Sequence, residues 1–234
     1  MKNLKKNTFK LSAFILSICI ISSCSKRKEF TEEDAAEIIE KSIEKDTYGV
    51  SELITKYSEN LVNSYSSYPC DQYDTSYSFS YSGPLVNSDY QVNWDYTLIC
   101  GLFSVPSAAE LNATISGSYS TNRINSNDNS NASLNVTGIE FSASSLNFNG
   151  SLSRNGSQTI SINSKTRNVT SDINIELTNV SVNKSSFAIE SGTGSVVISG
   201  NNGSDSFSFS GSIVFNGNGN ATLTINGNTY QISV

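Results

Sequence analysis

From Tyr73 to the C-terminus the chain alternates, one residue in two, between an apolar or aromatic residue and a small polar one. "TSYSFSYSG" and "YQVNWDYTLIC" set the pattern, and it returns in "LNATISGSYS", "SLNVTGIEFS", "SLNFNGSLS", "TISIN", "DINIELTNVSV", "GSVVISG", "SFSFSGSIVF", "ATLTING" and "TYQISV". Successive side chains of a strand point to opposite faces, so this pattern specifies sheet with one dry face and one wet face. Such alternation argues against parallel α/β sheets, whose strands are buried on both sides. Gly, Asn and Ser clusters interrupt the runs at intervals of roughly 8–12 residues, the spacing of antiparallel all-β domains. The expected fold over residues 70–234 is therefore an antiparallel β-sandwich or partly open barrel of about ten strands. "TINGNTY" should close a tight hairpin, because Asn-Gly readily adopts positive φ.

A weaker internal echo lies within the strands. Ile115 to Tyr119, Phe148 to Leu152 and Phe209 to Ile213 share an apolar-x-Gly-Ser-apolar core, unevenly spaced along the chain. A glycine in mid-strand marks a bulge or a close approach of another backbone. The segment "NSNDNSN", residues 125–131, has too few acids for a calcium loop and reads as a polar loop.

Before the sheet, residues 31–66 change to helical periodicity. Thr31 is placed to cap, with Glu32, Glu33 and Asp34 in the first turn and Asp34 imitating a capping box. Ala35, Ile38, Ile39 and Ile43 form one apolar stripe, and Glu37 can pair with Lys41 one turn on. Gly49 interrupts the pattern, which resumes with Val50, Leu53, Ile54, Tyr57, Leu61 and Tyr65. One or two helices are expected, docked on the sheet.

The N-terminus reads as an address. Lys2, Lys5, Lys6 and Lys10 precede an apolar run from Leu11 to Ile21. Eleven helical residues reach roughly 16 Å, half of the ~30 Å hydrocarbon core, which is the length of a secretory signal core. Ile21-Ser22-Ser23-Cys24 then resembles the lipobox of bacterial lipoproteins. The resemblance covers residues 1–24 and implies cleavage of residues 1–23, with diacylglyceryl and N-acyl lipid on Cys24. Several acyl chains hold a protein at a membrane far more durably than one. Ser25, in place of an aspartate, implies sorting to the outer membrane by the same resemblance. Residues 24–30 form a basic tether, with Lys26, Arg27 and Lys28 beside the membrane surface. The rest of the chain is similar to Ser/Asn-rich envelope lipoproteins, a likeness that carries no site residues.

Removing the four signal lysines leaves 11 basic residues against 21 acidic ones, a formal charge of −10. A chain this acidic is repelled by nucleic acid. With Cys19 discarded and Cys24 lipidated, Cys70 and Cys100 remain, and an exported pair is most simply a disulfide. Setting Tyr81 opposite Tyr90 in the first hairpin brings these cysteines almost face to face. Closing a loop of about 31 residues stabilises by roughly 3.7 kcal/mol in the chain-entropy model.

The chain has no histidine, and so lacks the commonest general base and zinc ligand. No metal or other cofactor is expected. Asp71 and Asp74 could approach each other, but nothing marks them as the paired carboxyls that glycoside hydrolysis needs. Catalysis is therefore not the reading. Eight of the eleven tyrosines lie between Tyr57 and Tyr96 with the single tryptophan, Trp94. Alternation assigns Tyr77, Phe79, Tyr81, Tyr90, Trp94 and Tyr96 to the buried face, with Tyr73 and Trp94 the aromatics singled out as ligand-facing candidates. The expected role is a non-catalytic binding or structural module at the envelope, in adhesion or glycan capture. Two alternatives are a carrier of lipid or another apolar ligand, with a cavity lined by Phe148, Phe209 and Phe215, and a subunit of a membrane-spanning β-barrel. Self-association through exposed strand edges is a further expectation.

Overall fold

A computed structural model describes residues 29–64, 70–162, 165–203 and 205–234. The signal segment, Cys24, the basic tether as far as Lys28, and Tyr65 lie outside the described residues. Among the described residues two helices, α1 (Glu32–Ile43) and α2 (Val50–Ser64), precede ten strands. These are β1 (Gln72–Ser82), β2 (Val86–Cys100), β3 (Pro106–Thr121), β4 (Ile124–Thr137), β5 (Ser145–Ile162), β6 (Lys165–Asn183), β7 (Ile189–Asn201), β8 (Ser206–Gly217), β9 (Asn220–Ile225) and β10 (Asn228–Ser233). The strands form one antiparallel sheet in sequence order from β1 to β10, and it is not closed into a barrel.

The expected faces are the observed ones. Along β2 the residues alternate buried and exposed, so Tyr90, Val92, Trp94 and Tyr96 point inward with Leu98. One outward rung can be followed from Asp74 through Asp95, Asn112 and Ser133 to Ser212, Thr224 and Thr229, polar at every step. The inward face meets the helices. Ile38, Ile39, Ile43, Leu53, Ile54, Tyr57 and Leu61 are all buried against it in one continuous core. Tyr57 sits edge-on to Trp94, Tyr96 and Phe148, with ring centres 5.7, 5.6 and 6.3 Å away.

The sheet curls around the helices. Glu32 accepts hydrogen bonds from Asn226, Asn228 and Tyr230 on the β9–β10 hairpin, at 3.0, 2.8 and 2.9 Å. Two residues further on, Asp34 is held by Arg123, just before β4, and by Arg167 of β6 at 2.7 Å. In a flat sheet β4 and β9 would stand about 24 Å apart, at roughly 4.8 Å per strand. One helix turn reaches both because the sheet bends.

Local chemistry explains the helix ends. Thr31 and Asp34 form both halves of a capping box, at 3.1 and 3.3 Å. Between the helices, position 49 must be glycine because a Cβ there would strike the backbone of Ser42 and Ile43. Lys41 pairs not with Glu37 but with Glu44, at 2.7 Å, while Glu37 turns to Arg123 at 2.9 Å. The tertiary partner thus displaces the local one.

Some sequence expectations need correction. Tyr81 stands opposite Ser88, and Tyr90 opposite Phe79, a slip of two residues that keeps the alternation of faces. Tyr81, expected buried, is exposed, because it lies near the end of the edge strand with no strand beyond it among the described residues. Residues 125–131 are no loop but the first half of β4, and "SLNFNGSLS" and "TISIN" are parts of one strand, β5. The mid-strand glycines behave as their context requires. Gly150 has φ +138° at the irregularity between β5 and β6, and Cβ atoms on Gly117 and Gly211 would strike carbonyl oxygens of Asp89 and Thr224. Asn226 and Gly227 both have positive φ in the expected hairpin turn.

Candidate functional site

The segment misread as a loop supplies a buried polar cluster. Ser126, Asp128 and Ser130 of β4 point inward toward Arg154 and Gln158 of β5, and all are 4 % exposed or less. Arg154 donates from Nε and Nη2 to the two Asp128 oxygens at 3.0 and 3.1 Å. Its Nη1 donates to the carbonyls of Lys41 and Thr47, at 2.9 and 3.2 Å, and Nη2 also reaches the Tyr90 hydroxyl. The guanidinium lies over the Tyr90 and Tyr119 rings, 5.4 and 5.5 Å from their centres. Burial alone would lower the Arg154 pKa, but the Asp128 carboxylate reverses this, and the charged form is held firmly. Every donor of this group has a protein partner, and the carbonyls it binds flank the link between the helices. The cluster clamps that link to the sheet, with every Arg154 donor already taken.

A different place offers free chemistry. Where α2 passes the edge of the sheet, a shallow groove of about 350 Å³ lies between Lys56, Glu59, Asn60 and Asn63 on the helix and Thr75, Tyr77 and Trp94 on the strands. The helix residues are spaced at i, i+3, i+4 and i+7, so one face presents them together. Lys56 Nζ lies 3.0 Å from Glu59 Oε2 and 4.0 Å from Glu52. The Asn60 carbonyl oxygen is buried and has no hydrogen-bond partner among the described residues. Tyr77 and Trp94 stand at right angles with ring centres 5.2 Å apart, and the Tyr77 hydroxyl bonds that of Tyr48. Burial pushes the Tyr77 pKa up, the Tyr48 hydrogen bond lowers it, and the nearby Glu52 and Glu59 carboxylates raise it further. Amides, an ion pair and aromatic edges on one open surface suit a neutral, hydroxyl-rich ligand.

The residues singled out in the sequence fall as follows. Cys70 and Cys100 form a disulfide, with Cα atoms 5.6 Å apart. Trp94 is 4 % exposed, so its indole contributes to the floor of the groove and is no open platform. Tyr73 is half-buried and stacks on Tyr96 at 5.3 Å. Asp71 and Asp74 are exposed, and Asp74 faces Asp95 across the outer surface. The structure does not bring them into a cleft. Lys56, Glu59, Asn60 and Asn63 went unnoticed in the sequence, although they stand on α2 opposite its apolar stripe. Phe148 and Phe215 are buried, and Phe209 lies 6.1 Å from Phe30, with the Phe148 ring covered by Tyr57.

No family model, no curated protein and no solved structure matches this chain.

Proposed function

We propose that the chain is an outer-membrane lipoprotein, anchored through acylated Cys24, whose domain captures glycans without catalysis. The groove between α2 and β1 carries this reading, because it combines the unpartnered Asn60 carbonyl, the Asn63 amide and the Tyr77–Trp94 corner. Amides and carboxylates offer both donors and acceptors to sugar hydroxyls, and aromatic edges accept the apolar C–H surface of the ring. Two observations weigh against the alternatives. Of the rings that would line a carrier's cavity, Phe148 packs against Tyr57 of α2, Phe209 lies beside Phe30, and Phe215 is buried in the core. The sheet turns its polar rungs outward, the reverse of the apolar lipid-facing band of a spanning barrel. The test is binding of the mature chain, with Cys24→Ser for solubility, to an array of bacterial and host glycans. The double variant Asn60→Ala/Asn63→Ala should lose the glycan signal while unfolding at the same temperature as its parent. Binding that survives this change, or no binding to any glycan, would refute the reading. Incorporation of labelled palmitate that depends on Cys24 tests the anchor.

A further inference from the structure

The two edges of the sheet are treated differently. β10 is six residues long, and the side chains of Asn228 and Tyr230 are tied to Glu32 of α1. β1 is an eleven-residue strand that, among the described residues, is paired on one side only, in unbroken register with β2. Its sequence, QYDTSYSFSYS, contains no Lys, Pro or Gly, and its single charge is Asp74. Sheet edges are normally guarded by lysines, prolines, bulges or short length, and β1 has none of these devices. Its inward residues Tyr73, Tyr77 and Phe79 are half-buried where their β2 neighbours are fully buried, and Tyr81 is exposed, so the apolar layer thins toward this edge.

We propose that β1 is a homodimer interface, on which β1 of a second copy pairs antiparallel about Tyr77. The strand is nearly its own mirror in sequence. Pairing about Tyr77 sets Tyr73 against Tyr81, Thr75 against Phe79 and Ser76 against Ser78, and Asp74 meets Ser80 rather than its own counterpart. Rings meet on the inward face and hydroxyls on the outward face, with no like charges opposed. Such a self-complementary contact is what a two-fold axis demands. The axis stands normal to the sheet, so the inner faces of both copies look the same way. Phe30, the last residue of the tether, lies on that inner face against Phe207, with ring centres 3.8 Å apart. Both N-termini therefore leave from one side of the doubled sheet, and two copies held in one membrane can form the pair. The grooves beside α2 meet across the axis, because Tyr77 lines each of them.

Sedimentation of the mature chain with Cys24→Ser, over a wide concentration range and without glycan, tests the proposal. A concentration-dependent dimer is expected. Ser76→Lys/Ser78→Lys gathers four ammonium groups at the axis and should halve the sedimented mass, with the melting temperature unchanged. Ser76→Cys/Ser78→Cys should cross-link between copies under mild oxidation. A parent that is monomeric at every concentration overturns the proposal. So does a dimer indifferent to the lysines, or one that fails to cross-link. Because no ligand enters the measurement, its failure leaves the glycan reading standing.

Discussion

Replacing Arg154 by methionine tests whether the buried cluster is the main clamp between helices and sheet. The substitution keeps much of the side-chain volume and removes five hydrogen bonds, two of them to Asp128. It leaves a carboxylate that is 3 % exposed without its counter-charge, together with the Thr47 carbonyl, for which no other bond is seen. Breaking one side of a buried pair costs about 3–5 kcal/mol. Against a total stability of about 5–15 kcal/mol, that is a large share. For a domain of this size each kcal/mol lowers Tm by about 2–4 °C, so a fall of about 6–20 °C is expected. Urea unfolding followed by circular dichroism and by the fluorescence of the single tryptophan, buried Trp94, gives the free energy directly. Asp128→Leu alone should cost a similar amount. The double variant should recover at least half of the summed loss, since replacing both members of a buried pair with apolar groups is often near neutral. A loss below about 1 kcal/mol for Arg154→Met, or a double variant that loses the full sum, would refute the reasoning.

Further predictions follow from the same geometry. Burial and a hydrogen bond with Glu40 push the Glu44 carboxyl up to about 7 from 4.5, with Lys41 pulling the other way. Between those values the folded chain keeps a proton that the unfolded chain has released. Stability from Glu44 is thus present below about pH 4.5 and lost as pH rises through about 7. Melting temperature should fall across this window, and Glu44→Gln should flatten the slope in a pH series of thermal melts. Cys70→Ser/Cys100→Ser should cost about 3.7 kcal/mol in urea unfolding without reductant, from the freed loop. Gly117→Ala should destabilise by about 1–3 kcal/mol, because its methyl meets the Asp89 carbonyl. Gly227→Ala, with open space around it, should lose only about 1 kcal/mol from its positive φ, read in the same assay.

Much of the architecture was legible because it depends on near neighbours. Period-two alternation sorts one face from the other whatever the register, which is why a slip of two in the first hairpin kept the alternation of faces, although Tyr81, expected buried, is exposed near the end of the edge strand. The Thr31–Asp34 cap, the Gly49 break and the Asn226-Gly227 turn are decided within a few residues. The approach of Cys70 to Cys100 needs only one hairpin. Residues 125–131 were not legible, because hydropathy cannot separate two polar faces. Asp128 can face inward because Arg154, on the next strand, pairs with it, and Ser126 beside it bonds Asp128 and Gln158. The groove was equally hidden. Lys56, Glu59, Asn60 and Asn63 look like an ordinary solvated helix face until the curl of the sheet brings Tyr77 and Trp94 beside them.

The sequence by itself determined which residues are strand, which side of each strand is dry, and where the helices begin and break, since backbone dihedrals and side-chain periodicity are set locally. Only the tertiary structure decided that the sheet bends around the helices, that a charged pair sits in the core, and that one edge stays open. Those outcomes rest on contacts between residues from 26 to 198 positions apart, whose free energy no local pattern encodes.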